Sequence, residues 1–291
     1  MSLIEPPEPG IYRAMPAGQY HAIDAASQSY LKLLAAGDSP FEVRHQMLNP
    51  RPSTPATRLG TALHSLMFDD PATFAAKVVL CPPFNKHKPS EREAYAEFVA
   101  AHTELTIIDT VAQWDLVHAM AAALHEHPFC RTYLPLITQR ELTLIGRHPE
   151  HGLPMKARLD AVVESESMIL DVKSTLSVNP YFREREVRKR GYLHQGAFYA
   201  DHARDHGIDA RHYCLLWVKN KPPHEVVPAR LTDTTLAIGR KGLEKPMAVM
   251  AECYRTGEWP QQTATLVDQS LSEWDERSAL RDFDLDDWEA A

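Results

Sequence analysis

Lys156-Ala157-Arg158-Leu159-Asp160-Ala161-Val162-Val163-Glu164-Ser165-Glu166-Ser167-Met168-Ile169-Leu170-Asp171-Val172-Lys173 reads as two β-rich runs around a polar turn. With a two-residue turn at Ser165-Glu166, an antiparallel hairpin sets Asp160 directly opposite Asp171, and opposed residues share a face. Lys173 lies two residues further on and shares that face too. Like charges facing each other across strands destabilise a hairpin. A divalent cation would offset that cost: Mg²⁺ takes one or two carboxylates, keeps several waters and leaves room for a phosphate. A nearby lysine would then orient or deprotonate a water. For an Asp-x-Lys triplet alone, charges pointing into solvent are the commoner arrangement. Ile169, Leu170 and Val172 weigh against it here, because a near-continuous apolar run marks a strand buried on both faces, where charge needs a reason.

Working outward, Arg140–Arg147 forms a strand before the hairpin, and Arg211–Val218 and His224–Leu231 form two after it. Helices fall at Ser27–Gly37, with Ser27 as N-cap and Gly37 as stop, and at Arg58–Phe68, with Leu59, Leu63, Leu66 and Met67 at helical spacing. Further helices run from Tyr192 to Asp205 and from Thr234 to Arg255. Between the Leu63 helix and the strands, about 70–135, sits a helical insertion of two helices. The first opens on a capping box, Ser90-Glu91-Arg92-Glu93. Residues 1–26 read as an extended arm, 27–260 as the main domain and 261–291 as an acidic, weakly ordered tail. The class is α/β, with a mixed central sheet flanked by helices.

Three further candidates are open when taken alone. Glu141, in Gln139-Arg140-Glu141-Leu142-Thr143-Leu144, is a third carboxylate that reads equally as a ligand or as an exposed strand residue. His64 lies among apolar neighbours, where a histidine is more often a core residue than a ligand. Gln195 and Tyr199 share a helix face, four residues apart.

In order, however, Gly60…His64, Glu141, Leu159-Asp160, Ile169-Leu170-Asp171-Val172-Lys173 and Gln195-x-x-x-Tyr199 resemble the motif set of the PD-(D/E)xK nucleases of the RecB/lambda-exonuclease branch. Within it the chain most resembles the exodeoxyribonuclease VIII (RecE-type) nuclease domain, from about Ser27 to the Gly257-Glu258-Trp259-Pro260 ending. The resemblance implies a restriction-endonuclease-like core. It implies that His64, Asp160, Asp171 and the Val172 carbonyl bind Mg²⁺, with Mn²⁺ able to substitute, and that Glu141 binds metal directly or through water. Lys173 would position and activate the attacking water, and Gln195 and Tyr199 would support the site or touch DNA. Members degrade linear double-stranded DNA from the 5′ end and leave 3′ single strands for an annealing protein in recombination. Several form closed rings around DNA, which implies a homo-oligomer. The rival readings are a catalytically silent DNA- or partner-binding module, and an endonuclease or single-strand nuclease of the same fold. The chain departs from many relatives where they carry Cys-Pro: here Asp38-Ser39-Pro40 stands, no later cysteine trio follows, and no iron–sulfur cluster is expected.

Composition fits this reading only after the charge is divided. The 291 residues carry a formal net charge of -8, which by itself argues against a phosphate-rich partner. Residues 268–291 hold nine acidic and two basic side chains, whereas 180–245 hold 13 basic and 8 acidic. Within the latter, Arg183–Arg190 reads equally as a DNA-facing stripe or as a solvated helix, and His202 with His206 as an exposed pair. No apolar run approaches the roughly 18–20 residues of a membrane span, and the start lacks the pattern of a secretion signal. Four scattered cysteines read as reduced thiols of a cytoplasmic protein.

Overall fold

In a computed structural model that describes residues 3–85, 87–263 and 265–282, the chain begins with strand β1 (Gly10–Tyr12) and helix α1 (Ala17–Ala22). This corrects the expectation of an arm with little regular structure. Tyr20, Ile23, Ala25 and Ala26 are buried, so the segment has an apolar side to cover. Helix α2 (Gln28–Ala36) follows within its expected bounds, closed by Gly37 at φ +104°. Helix α3 (Pro40–Leu48) was not anticipated, although its capping box is complete: Ser39 Oγ accepts from the Glu42 N–H, and the Glu42 carboxylate accepts from the Ser39 N–H, both at 3.2 Å. Helix α4 (Pro55–Phe68), capped by Thr54, carries His64.

The insertion comprises α5 (Pro71–Lys77), β2 (Val78–Leu80), α6 (Pro89–Ala101), β3 (Thr106–Ile108), α7 (Val111–Glu126) and α8 (Pro128–Tyr133). Two helices were expected; β2 and β3 add a small parallel ladder. The capping box at Ser90 does not form, because the N-cap of α6 is Lys88, two residues earlier, with Pro89 as the first helical residue, and Glu91 turns back to accept from the Asn85 N–H.

The remaining elements are β4 (Gln139–Arg147), β5 (Pro154–Val163), β6 (Met168–Thr175), α9 (Pro180–Lys189), α10 (Tyr192–Asp205), β7 (His212–Lys219), β8 (Val226–Arg230), α11 (Asp233–Thr256) and α12 (Glu273–Asp282). Within the acidic tail, residues 273–282 form helix α12, none of whose side chains is buried; residues 283–291 lie outside the described residues. The sheet runs β1-β4-β5-β6-β7-β8, with β6 and β7 parallel and every other neighbour antiparallel. A parallel pair needs a crossover, which α9 and α10 supply. The alternation of strand side chains divides the core. Leu142, Leu144, Leu159, Ile169, Leu215 and Trp217 pack with residues of α2, α3, α10 and α11. Leu170, Val172, Leu216 and Val218 pack with Leu63, Met67 and Phe68 of α4 and with Val117 and Leu124 of α7. Strand β6 is therefore covered on both sides, as its apolar run predicts.

His202 also corrects the sequence reading. It is 2% exposed, with its ring stacked on Phe198, because α10 lies against β4. Gly146 makes that approach possible: a Cβ there would stand 2.8 Å from His202 Cε1. Among the described residues no helix is long and apolar enough to cross a membrane.

Candidate metal centre

The hairpin pairs in the expected register, Ala161 with Leu170, Val162 with Ile169 and Val163 with Met168. The turn is one pair wider than expected: Glu164–Glu166 make a single 3₁₀ turn and Ser167 sits at φ +51°. The ladder ends at Ala161, so Asp160 and Asp171 are the first residues beyond it. At that point β5 changes its alternation, since Met155, Ala157 and Leu159 belong to one core but Ala161 and Val163 to the other. On β4, opposite Asp160, Glu141 takes φ +49°, an uncommon conformation for a residue with a side chain. Both strands thus deform at one level and open a gap between β5 and β6.

His64 enters this gap from α4. Its Nδ1 lies 3.0 Å from Asp160 Oδ2, and its Nε2 lies 2.7 Å from the Val172 carbonyl oxygen and 4.0 Å from Asp171 Oδ1. Lys173 Nζ stands 2.7 Å from Asp171 Oδ1, and the Tyr213 hydroxyl donates to Asp171 Oδ2 at 2.6 Å. One ligand atom from each of His64, Asp160 and Asp171 fits within 4.8 Å of the others.

Burial and charge oppose each other throughout the cluster. Burial pushes the Asp160 carboxyl up and Asp171 adds to this, while His64 opposes; the result is about 6. For Asp171, burial is outweighed by Lys173 and His64, which hold its carboxyl below the ordinary range. Burial would lower His64, but Asp160 and then Asp171 reverse that and bring it to about 9. Lys173 is likewise raised, with Asp171 and Asp160 outweighing its burial. A protonated imidazole between two carboxylates occupies the electrostatic place of a cation. The donor set suits a hard divalent ion: carboxylate oxygens, one carbonyl and one imidazole. Asp171 Oδ1 supports the fit, since it is buried and faces positive charge, with Lys173 Nζ at 2.7 Å and His64 Nε2 at 4.0 Å.

The other expected residues lie around this group. Glu141 stands apart from the three, with its carboxylate on Arg158 Nε at 2.6 Å. On α10 the Tyr199 ring meets that of Tyr213 at 6.3 Å and so reaches the centre through Tyr213, with Gln195 one helical turn before Tyr199. Sequence reasoning missed Tyr213, whose place follows only from the parallel β6–β7 register, and Tyr192, whose ring lies 4.9 Å from Lys173 Nζ. It also missed Tyr20, set beneath Arg158 at 5.8 Å. Its one signal was an aromatic residue in a segment otherwise rich in Pro, Gly and Ala.

The fold is shared with a crystal structure described as "Putative exonuclease" from Eubacterium rectale, with a TM-score of 0.58 over 87% of this chain and 92% of that one, at 13% identity. No curated protein matches the chain. The model of the family described as "PDDEXK-like domain of unknown function (DUF3799)" matches residues 27–268, most of the chain and all of the centre. The chain belongs to this PDDEXK-like family.

Proposed function

We propose that the protein is a metal-dependent DNA exonuclease that hydrolyses phosphodiester bonds of linear double-stranded DNA. The observation that carries this reading is the convergence of His64, Asp160, Asp171 and Lys173 at the gap between β5 and β6. Asp160, Asp171, His64 and the Val172 carbonyl would hold Mg²⁺, or Mn²⁺ in its place, which supplies Lewis acidity at the phosphate. Lys173 has three donors with which to hold the attacking water and a phosphate oxygen. Tyr213 fixes the Asp171 carboxylate by its hydrogen bond to Oδ2, which leaves Oδ1 beside His64 and Lys173. Water attacks phosphorus, the P–O bond to the leaving nucleotide breaks, and that oxygen gains a proton. The finer reading follows the RecE-type resemblance: degradation from the 5′ end, a 3′ single strand passed to an annealing protein, and a ring-shaped homo-oligomer in the cytoplasm. The E. rectale structure's description supports exonuclease chemistry.

The deciding assay compares linear duplex with covalently closed circular DNA in Mg²⁺, with and without EDTA. Release of nucleotides from the linear form alone, abolished by EDTA, is expected. Cutting of the circle would replace the exonuclease with an endonuclease, and no hydrolysis of either form would leave a binding module.

A further inference from the structure

Helix α9 joins β6, which carries Asp171 and Lys173, to α10, whose Tyr192 covers Lys173. Its two sides differ. Phe182, Arg183, Glu186 and Val187 are half-buried, and the charges there have partners: Arg190 Nε meets Glu186 at 2.9 Å, and Arg183 Nε donates to the Val178 carbonyl at 2.9 Å. Tyr181, Glu184, Arg185, Arg188 and Lys189 are exposed and follow one another at helical spacing as a single stripe. Among the described residues Arg185, Arg188 and Lys189 have no carboxylate partner, unlike Arg190. Tyr181 is 70% exposed beside them, and Leu176, at the end of β6, is 62% exposed.

The cations continue toward the centre. Lys32 of α2 packs on Gly191, 3.7 Å from where a Cβ would stand. Burial first, then the charges of Lys173 and Arg190, make it harder to protonate, which places it in their field. Arg185, Arg188 and Lys189 outnumber the one carboxylate of the stripe, Glu184, so the stripe is net positive, and a polyanion laid along it relieves the remaining repulsion. Cations alone would serve any nucleic acid backbone. An exposed aromatic ring set among them is useful only to a strand whose bases are free to stack, because a duplex keeps its base faces covered.

We propose that the exposed stripe of α9 binds single-stranded DNA, with Arg185, Arg188 and Lys189 on its phosphates and Tyr181 stacked on a base, and so guides one strand to or from the centre. The proposal rests on the nuclease reading for its choice of DNA, but its test does not need hydrolysis. The full chain is titrated in EDTA against a fluorescent oligothymidylate of about 16 nucleotides, followed by anisotropy at several salt concentrations. Replacing Arg185, Arg188 and Lys189 together by alanine should flatten the log–log salt dependence by about 2, the share of three phosphates on a single strand. Tyr181→Ala should weaken binding at least about fivefold with the salt slope unchanged, and Tyr181→Phe should restore it. Wild-type affinity and slope in these variants would overturn the proposal, as would an equal effect of Tyr181→Ala on a blunt duplex. Binding lost in the variants while nucleotides are never released would count against the nuclease reading and not against the stripe, so the two failures are distinguishable.

Discussion

Lys156 on β5 and Lys173 on β6 stand on the two arms of one hairpin, both on the side away from its turn and both with ammonium groups largely withdrawn from solvent, in surroundings of opposite kind. Lys173 meets a carboxylate at 2.7 Å and stays charged because Asp171 and Asp160 outweigh its burial. Lys156 Nζ donates to the carbonyls of Tyr20, His21 and Ile23 at 3.0, 3.2 and 2.7 Å, and burial pushes it down to about 8 with only the charge of Asp24 opposing. Those carbonyls lie at the end of α1 and just beyond it, where unsatisfied acceptors gather. One lysine is placed for chemistry, and the other fastens the N-terminal segment to the sheet. Burial of a charge marks both residues; only the partners tell their tasks apart.

The largest expected effect falls on Lys173. Lys173→Ala should lower nucleotide release from linear duplex by at least about 100-fold, the usual scale for a group that acts on the transferred proton or its water. Its thermal transition should remain cooperative; wild-type turnover in a folded variant would remove Lys173 from the chemistry. Lys156→Met should do the converse. It leaves three carbonyls without their donor and should cost about 3 kcal/mol in urea unfolding, with activity retained in the folded fraction. A large loss of turnover without loss of stability would erase the contrast between the two lysines.

His202 extends the comparison to a buried base whose ring nitrogens have no carboxylate partner among the described residues. Burial, then the charge of His206, lower its pKa from 6.5 to about 4. As pH falls below 6.5 the unfolded chain takes up a proton that the folded one refuses until about 4. Stability is therefore lost as pH falls through that window, by at most about 3 kcal/mol from this group. Unfolding free energies of wild type and His202→Leu, measured from pH 7 to pH 4, should converge by that amount; parallel curves would mean that His202 does not titrate. The smallest effect should come from Glu141→Gln, which removes the charge facing Arg158 but touches none of the three clustered ligands. A loss of turnover below about tenfold is expected, against at least about 100-fold for Asp171→Asn. Equal losses would return Glu141 to the metal.

The same contrast explains what the sequence could convey. Alternation and turn residues set the hairpin register, and from it followed the meeting of Asp160 with Asp171 and the side taken by Lys173. The gap that admits His64 was not legible, because it depends on Glu141 at φ +49° and on a shift of alternation at Asp160. Tyr213 needed the parallel register of a strand some forty residues away. Strand β1 and helix α1 were too short to carry a period; β1 is held by its pairing with β4, and the end of α1 by a lysine on β5. His202 looked exposed because its charged neighbours Asp201 and Asp205 hid the apolar side of α10.

The pairing of β1 with β4 bears on where this protein can be cut. The span matched by the family begins at residue 27, and a chain trimmed there would lose β1. Strand β4 would become an open edge, a template on which another copy could add a strand and begin to aggregate. The same cut would remove Tyr20, His21 and Ile23 and strand Lys156 without acceptors. Residues 10–26 thus cover an edge of the sheet, and a shortened protein that precipitates would be reporting that exposed edge rather than a failed active site.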